Sequence, residues 1–316
     1  MNPQQDRSII PIPSQELTGP QIVGNRILGQ MVDEVLALGR AEADVEIPRF
    51  KIGEYVWCEA EYRQILFWAE ALSDTPSSII ERLIAGKKSG NAPTHFQEGR
   101  IFSLAWGADW LPIRALANLA LPNLTDLSCF YGNLTEIDLS SVPNLTRLYC
   151  SYNHLMMIDF SRVPNLALFD CSVNTQLTQL DLSKTPKLSK LICEHTRFTK
   201  LDLSHTPNLC DLHASGSEIA ELDLSLVPNL RSLDCSDTLI ENLGLQNLAR
   251  LTELRCNYCR SLTSLDLSGV PNLTNLDCSE NYLSVLDIRP LRNLIELKYD
   301  SDKTRLIQRP DQNFKR

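Results

Sequence analysis

The sequence lacks the features that mark membrane proteins, nucleic-acid-binding proteins and secreted precursors. No run approaches the ~18 consecutive apolar residues that a membrane-spanning helix needs. The 30 Lys and Arg residues are outnumbered by 39 Asp and Glu, and the formal charge of −9 argues against a nucleic-acid partner, which needs a basic surface. Residues 1–19 contain no basic segment followed by an apolar core, so no cleaved secretory signal is expected.

The main positive feature of the sequence is a repeat that runs from Leu121 to Asp300. A period of 21 or 22 residues separates successive copies of its proline position, which holds Pro122, Pro143, Pro164, Pro186, Pro207, Pro228, Ala249, Pro271 and Arg292. A constant period in this range indicates a solenoid of stacked units. The architecture is therefore predicted before any residue is assigned a chemical role.

Each unit contains a short stretch of alternating residues that predicts a strand. Leu148 and Cys150 alternate with Arg147 and Tyr149, as in a strand with one buried face. Stacking the units would pair these strands into a parallel sheet with a spacing of ~4.8 Å. A second alternation at residues 137–140 predicts a short extended segment on the opposite side of each coil.

Composition divides the chain into four segments: 1–20 disordered, 21–95 a helical cap, 96–300 the repeat solenoid and 301–316 a polar tail. Helical spacing predicts helices from about Pro20, over Tyr55–Leu72 and over Pro76–Ala85, and residues 86–93 have the composition of a linker. Ile101-x-x-Leu104-x-Trp106 predicts a degraded first coil. A cap is expected here because the first coil of a solenoid exposes apolar surface and a sheet edge.

The full repeat, Leu-x-x-Leu-x-Cys-x-x-Asn-x-Leu-x-x-Leu-Asp-Leu, resembles the short bacterial class of leucine-rich repeats called IRREKO, over about Leu121–Tyr299. The resemblance implies a β-rich (α+β) solenoid with a parallel concave sheet, a helical N-terminal cap and a protein partner. The asparagine position departs from the pattern, since asparagine occurs only at Asn153, Asn174 and Asn281. In this family the asparagine satisfies backbone groups at a turn, so a less regular ladder is expected.

The N-terminal region is similar to the cap of type III secreted leucine-rich-repeat effectors, through Tyr62, Trp68, Asp74-Thr75-Pro76 and Glu81-Arg82-Leu83. This resemblance implies a virulence-associated effector secreted into a host cell, with residues 1–20 as an export signal. Two alternatives remain: a regulator confined to the bacterial cytoplasm, and an enzyme or ligase-like effector with chemistry outside the repeats. In the enzyme alternative, the chemistry would lie in the helical region or on Cys58 or Cys259.

Seven of the ten cysteines occupy one repeated position, which predicts packing rather than chemistry. The position holds Cys129, Cys150, Cys171, Cys193, Cys235, Cys256 and Cys278, with Ala214 as the one small substitute. Free cysteine packs as a small hydrophobic residue, and neighbouring copies would form disulfides only with strained geometry. A reducing compartment is therefore favoured. Cys256-x-x-Cys259 has redox or half-zinc spacing but no second pair, so no metal is predicted.

Two further patterns suggest chemistry and are interpreted as structural. Aspartate recurs at Asp138, Asp159, Asp181, Asp202, Asp223, Asp266 and Asp287, usually with serine two residues later. Calcium could compensate these charges, but the Gly-Gly-x-Gly-x-Asp turns of calcium-binding repeats are missing, so backbone and serine donors are expected. Asp211, His213 and Ser215 have triad composition, but strand residues two apart lie ~6.5 Å from each other, beyond triad contact.

The positions that vary between copies are where a function would be encoded. On the strands these positions mix aromatic and charged residues, which is the composition of a protein-binding surface. A solvated face without a partner is the alternative. We predict a non-enzymatic interaction scaffold with no cofactor and no catalytic residue, which binds a protein partner on its concave face through Phe130, Tyr149, Leu168, Asp170, Ile192, His213, Asp234, Arg255 and Asp277.

Overall fold

The computed structural model describes residues 49–52, 55–85, 95–97, 100–105 and 119–315. The predicted disordered segment, the helix from Pro20, the linker and Trp106 lie outside these residues. No helix within the described residues is long and apolar enough to cross a membrane. The elements in the N-terminal region are β1 (Arg49–Ile52), β2 (Tyr55–Cys58), α1 (Glu59–Leu72), α2 (Pro76–Ala85), β3 (His95–Gln97) and β4 (Arg100–Ala105).

The repeats contribute one short strand per coil to a parallel sheet. These strands are β5 (Asp126–Ser128), β6 (Arg147–Tyr149), β7 (Leu168–Asp170), β8 (Lys190–Ile192), β9 (Asp211–His213), β10 (Ser232–Asp234), β11 (Glu253–Arg255), β12 (Asn275–Asp277) and β14 (Glu296–Lys298). With β3 and β4 they form an 11-stranded sheet in sequence order. The predicted β-rich solenoid with a parallel sheet is confirmed, and the degraded first coil is β4, whose Leu104 pairs in register with Leu127.

One hydrophobic core runs the length of the solenoid because the same positions point inward in every coil. The middle residue of each repeat strand is buried, as are every cysteine of the repeated position and most of the leucine positions, while Ile158 and Leu180 are half-buried. Thiols of Cys129, Cys150 and Cys278 donate to backbone oxygens of the next coil at 3.4–3.5 Å. The cysteines are all free. The structural role predicted for this column therefore agrees with the geometry.

The asparagine position is occupied by side chains that satisfy backbone oxygens in different ways. The amide of Asn153 donates to the carbonyl oxygens of Cys129 and Cys150 at 2.8 and 2.9 Å, so it joins two coils. Thr196, in contrast, donates only to Cys193 of its own coil at 2.8 Å. The strands nevertheless stay paired in register from β4 to β14. The expected irregularity is not seen in the pairing of the strands. Thr196, Ser217 and Thr238 each donate a hydroxyl hydrogen bond to a carbonyl oxygen of their own coil, and Gly132, which has no side-chain donor, leaves the register unchanged as well.

The opposite side of the coils differs from the second sheet that the alternation predicts. Within residues 119–315, only Val285–Asp287 (β13) and Arg305–Ile307 (β15) pair there, besides an isolated bridge between Lys200 and Glu221. On this side each repeated aspartate accepts a hydrogen bond from the backbone N–H two residues later and so closes a local turn. Backbone donors thus compensate the carboxylates, as predicted.

The N-terminal region is a cap joined to the first coil by buried polar contacts. Glu61 of α1 accepts from the backbone N–H of Ile101 and the amide of Asn123, both at 3.3 Å. Gln64 accepts from the backbone N–H of Ala120 at 2.6 Å. Ile65 and Trp68 are fully buried in the same core as the repeats. Helix α1 therefore closes the end of the solenoid.

The cap is not entirely helical, which corrects the predicted helix over Tyr55–Leu72. Residues 55–58 form β2, which pairs antiparallel with β1, and α1 begins only at Glu59. The aromatic and β-branched residues of this stretch favour a strand, while helical spacing continues into it by coincidence. The break before α2 is as predicted: Ser73 adopts a left-handed conformation, and the Thr75 hydroxyl caps the backbone N–H of Ser78 at 3.1 Å.

The C-terminal segment also differs from the predicted polar tail, because residues 301–315 complete a last coil. Strand β15 pairs with β13, and Gln312 donates to the carbonyl oxygens of Ile288 and Leu291 at 2.8 and 2.7 Å. The backbone of Lys315 bonds to Leu297 and Ile295 at 2.9 and 2.7 Å, which covers part of the sheet edge. The segment has polar residues, but they satisfy backbone groups of the preceding coil.

The aspartate turns make the fold sensitive to acid. Hydrogen bonds from the residue two positions later lower the pKa of six of these carboxyls. The backbone N–H is the main cause at Asp159, Asp181 and Asp266, and a side-chain donor is the main cause at Asp202, Asp223 and Asp287. Their folded pKa lies below the unfolded value of about 3.9. The stabilisation is therefore fully present above about pH 4 and is lost as the pH falls through the folded pKa.

We expect urea midpoints to drop between pH 4 and pH 2, and to drop less when Asp181, Asp202 and Asp223 are replaced by Asn, which keeps an acceptor oxygen but does not titrate. A variant with Glu136, Glu221 and Glu241 replaced by Gln controls for the loss of three exposed negative charges. An acid dependence that is the same in the Asn variant and the wild type would contradict this account of the turns.

Candidate functional site

The candidate site is the face of the parallel sheet that points away from the core. We call it the open face and define it by three columns. The strand-start column is Asp126, Arg147, Leu168, Lys190, Asp211, Ser232, Glu253, Asn275 and Glu296, and the strand-end column is Ser128, Tyr149, Asp170, Ile192, His213, Asp234, Arg255, Asp277 and Lys298. The third, after each cysteine position, is Phe130, Ser151, Ser172, Glu194, Ser215, Ser236, Asn257, Ser279 and Asp300. Because the strands are in register, each column is a straight row across the coils.

The structure places all nine residues of the predicted binding site on this face. Leu168 and Asp170 flank the buried Phe169 in β7, and the same pattern of a buried centre with less buried flanks recurs in the neighbouring strands. Arg255 is exposed, and the other eight residues are half-buried. Half-burial leaves each of these side chains with surface for a partner while its base packs against the adjacent coil.

An aromatic group lies at the N-terminal end of the open face. The rings of Phe130 and Tyr149 are 6.0 Å apart and tilted by 52°, and those of Tyr131 and Tyr152 stack at 4.3 Å. The stacked pair remains 57% and 47% exposed, so its outer ring faces are open to a ligand. We call these four residues the aromatic block. Aromatic pairs of this kind are frequent anchors in protein interfaces.

Tyr131 and Tyr152 were not among the predicted site residues, although the early run of aromatics is visible in the sequence. They belong to a rim column in which every coil adopts a left-handed backbone: Tyr131, Tyr152, Val173, His195, Gly216, Asp237, Tyr258 and Glu280. Only one of these is glycine, the residue that usually marks this conformation, so the sequence gives little signal for it. The left-handed turn rotates the two tyrosine side chains out of the core-facing alternation and toward each other.

Charge on the open face is mostly negative and is unevenly compensated. Its acidic residues are Asp126, Asp170, Glu194, Asp211, Asp234, Glu253, Asp277, Glu296 and Asp300, against Arg147, Lys190, Arg255 and Lys298. Arg255 contacts Glu253 at 2.7 Å and Asp234 at 3.9 Å, and Lys298 contacts Asp277 and Glu296 at 3.6 and 3.8 Å. Arg147 pairs with Asp126. The ion pairs of the open face therefore lie toward its two ends.

The middle of the face keeps acids without a basic partner. Within the repeat coils described here, Asp170 accepts hydrogen bonds only from Ser151 and Ser172, at 2.8–3.1 Å, and Asp211 forms no ion pair. Lys190 is in register with Asp211 but makes no ion pair with it. Glu194 has only His213 nearby, with Nδ1 at 3.8 Å from the carboxylate. This region has a net negative potential that a cation could satisfy.

The sheet face offers a shallow depression rather than an enclosed pocket at its C-terminal end. It has a volume of about 50 Å³ and is lined by Glu253, Leu254, Arg255, Asn275, Leu276, Asp277, Glu296 and Lys298. Small-molecule pockets usually occupy ~300–1,000 Å³. A surface of this shape suits a macromolecular partner better than a buried small ligand.

The described residues bring no catalytic or metal-binding set together. Asp211 and His213 are separated by the buried Leu212, and His213 Nδ1 lies 3.8 Å from the Glu194 carboxylate. No group of three or more His, Cys, Asp or Glu residues in the described ranges could hold a metal ion. Cys259 Sγ lies 3.1 Å from the carbonyl oxygen of Cys235, and a hydrogen bond with the side chain of Cys235 lowers the pKa of Cys259 to about 6. The Cys259 side chain has no exposed surface, so its thiolate cannot meet a substrate.

Comparison with solved structures finds leucine-rich-repeat proteins. InlP from Listeria monocytogenes matches with a TM-score of 0.53 and 20% identity, over 77% of this chain and 67% of that one. The functional domain of InlJ from the same species, described as including a cysteine ladder, gives 0.46 and 26%, over 65% and 54%. The leucine-rich-repeat domain of the type III effector XopL gives 0.49 and 17%, over 95% and 98%. The chain spans about half of the InlJ domain.

No protein-family model and no curated protein matches the sequence. The likeness to InlP shows the fold, and together with the repeat period and the parallel sheet it identifies this protein as a leucine-rich-repeat solenoid.

The exposure of the cysteines predicts how the native protein reacts with a thiol reagent. Cys210 is half-buried and the other nine cysteines are buried. Burial raises the pKa of Cys129 to about 12. We expect one fast equivalent of reaction with Ellman's reagent at pH 8, at Cys210, and the remaining thiols only after unfolding. Cys210→Ser should remove the fast equivalent. Fast reaction at Cys58 or Cys259 in the native chain would contradict their burial and support a thiol enzyme.

Proposed function

Because the chain is a leucine-rich-repeat solenoid, we propose that it is a non-enzymatic scaffold that binds a protein partner on the open face. The observation that carries this proposal is the contrast between columns. Positions with a structural task repeat from coil to coil, while the strand-start and strand-end columns change chemistry at almost every step. A rigid surface with a changing pattern of aromatic and charged groups has the composition that protein recognition uses.

The arrangement of the face supports this reading over catalysis. The nine predicted residues lie in adjacent rows across coils, so their side chains point in parallel from a flat surface. A catalytic set needs groups that converge on one reacting atom. A protein partner instead needs a broad surface, about 800 Å² per partner in a typical interface, which several adjacent coils can supply.

The proposal is tested by removing side chains from the face without changing its charge. In Tyr149→Ala with Ile192→Ala, two half-buried contacts are lost and the neighbouring buried leucines stay. We expect capture of the partner that cross-links to the wild-type chain to fall about tenfold or more, as loss of central contacts does. Leu226→Ala with Leu239→Ala, which truncates two exposed leucines outside the open face, should capture as the wild type does.

Circular dichroism and the urea midpoint must show that the Tyr149→Ala, Ile192→Ala variant is folded. Undiminished capture by this folded variant, or an equal loss in the Leu226→Ala, Leu239→Ala control, would remove the open face as the binding site.

We further propose that the protein acts as an exported effector in a host cell rather than as a regulator in the bacterial cytoplasm. Support for this comes from the sequence similarity of the cap region to caps of type III secreted effectors, carried by Tyr62, Trp68 and the Asp74-Thr75-Pro76 break. The structure adds that this break is a built helix boundary, with Thr75 capping α2. Binding on the open face would be the activity that is delivered.

Export is tested with a reporter fused to the full chain and to a chain that lacks residues 1–20. In a bacterium with a type III secretion apparatus, we expect the full fusion in the culture supernatant and the shortened one in the cells. A strain with a defective apparatus is the control. Export of both fusions, or of neither, would contradict residues 1–20 as the export signal.

A further inference from the structure

We infer that the partner presents an extended, basic segment, with arginine or lysine side chains that contact the aromatic block and the acids of the middle coils. The inference rests on the proposed function and specifies the chemistry of the partner at the same face. Two independent features support it: the geometry of the aromatic rings and the distribution of uncompensated charge.

The aromatic block offers ring faces to a cation. Tyr131 and Tyr152 stack on each other with about half of each residue exposed. Phe130 directly precedes Tyr131 in one coil, and Tyr149 lies three residues before Tyr152 in the next coil. The face of an aromatic ring attracts a cation, and a planar guanidinium can also stack on it. An acidic segment would face repulsion from the carboxylates next to these rings.

The carboxylates that follow the block are arranged to receive such a cation. Asp170 is in register with Tyr149, one strand away, and Ser151 and Ser172 hold its carboxylate in place. Asp211 lies two strands further along the face without an ion-pair partner. Of the bases on the face, Arg147, Arg255 and Lys298 pair with local acids. Lys190 lies between the strands of Asp170 and Asp211 and forms no ion pair among the described residues, and the acids of the middle coils still outnumber it. A basic segment would therefore form ion pairs with carboxylates that have no basic partner on the face. Charge complementarity of this kind determines which partner binds.

The spacing of the coils sets the length of the segment. From the strand of Asp126 to that of Ser232 there are five steps between strands, or about 24 Å at ~4.8 Å each. An extended chain rises ~3.3 Å per residue, so about seven residues cover this distance. Side chains of an extended chain alternate between two sides. A segment with basic residues at every second position would present all of them to the face.

The test uses two fluorescent synthetic peptides of about ten residues, one alternating arginine with serine and one alternating glutamate with serine. We expect the arginine peptide to bind the full chain, as measured by anisotropy, and the glutamate peptide to bind at least tenfold more weakly. In Asp170→Asn with Asp211→Asn the dissociation constant of the arginine peptide should rise about tenfold. Tyr149→Leu, which keeps apolar bulk but removes the ring, should weaken it as well.

A charge-matched control separates a defined site from general attraction to an acidic protein. Glu221→Gln with Glu241→Gln removes the same net charge from exposed positions outside the open face and should change the dissociation constant less than about twofold. Equal losses in the two double variants, equal binding of the two peptides, or no binding of either would overturn the inference. A dimer of the chain that dissociates in the Asp170→Asn, Asp211→Asn variant would also overturn it, by assigning the face to a second copy.

The captured partner distinguishes this inference from the proposed function. If Tyr149→Ala with Ile192→Ala loses the partner and Asp170→Asn with Asp211→Asn keeps it, the basic segment is excluded while the open face remains the binding site. If both variants keep the partner, the inference and the proposed function fail together.

Discussion

The structure depends on closing a coil of 21 or 22 residues while its backbone groups stay hydrogen-bonded to the coils on either side. Buried backbone donors and acceptors without partners are costly, so each coil must present the same groups at the same height. The ladder extends beyond the short strands: the N–H of Cys129 donates to Tyr149 at 2.8 Å, and that of Tyr152 to Ser172 at 2.9 Å. Most of the repeated residues follow from this requirement. Cysteine or alanine fits the narrow interior, aspartate closes the turn on the opposite side, and asparagine or a hydroxyl residue satisfies buried carbonyls.

This requirement divides the residues of a coil into those that build the scaffold and those that are free to vary between coils. The residues that build the ladder account for the cysteine and aspartate columns that resemble redox, metal or calcium sites. The residues that remain free to vary point outward from the strands. They form one continuous surface because the coils are in register. The aromatic block lies at one end of this surface, the uncompensated acids lie beside it and the self-paired charges lie toward the other end, so the open face has a direction.

Much of the fold was predictable because, in a periodic sequence, residues at the same position of successive copies lie next to each other in the stack. The spacing of the prolines set the coil length, and alternation around the cysteines identified both the buried row and the nine residues now found on the open face. Other features depend on interactions that no local pattern encodes. Tyr55–Cys58 pairs with β1 although its spacing also fits a helix, and Gln312 satisfies carbonyls more than 20 residues earlier in the chain. The left-handed rim could not be predicted from the sequence because Gly216 is its one glycine. The uneven pairing of charges could not be predicted because it depends on where the side chains lie.

We propose that the partner binds on the open face and that the repeated positions have a structural role alone. Hydroxyl-radical footprinting of the chain, free and bound to its cross-linking partner, tests this most directly because it reports side-chain exposure residue by residue. We expect Phe130, Tyr131, Tyr149 and Tyr152 to be protected from oxidation when the partner binds. Leu226, which is 47% exposed outside that face, should react equally in both states. Protection of Leu226 while the aromatic block stays equally reactive would contradict this proposal.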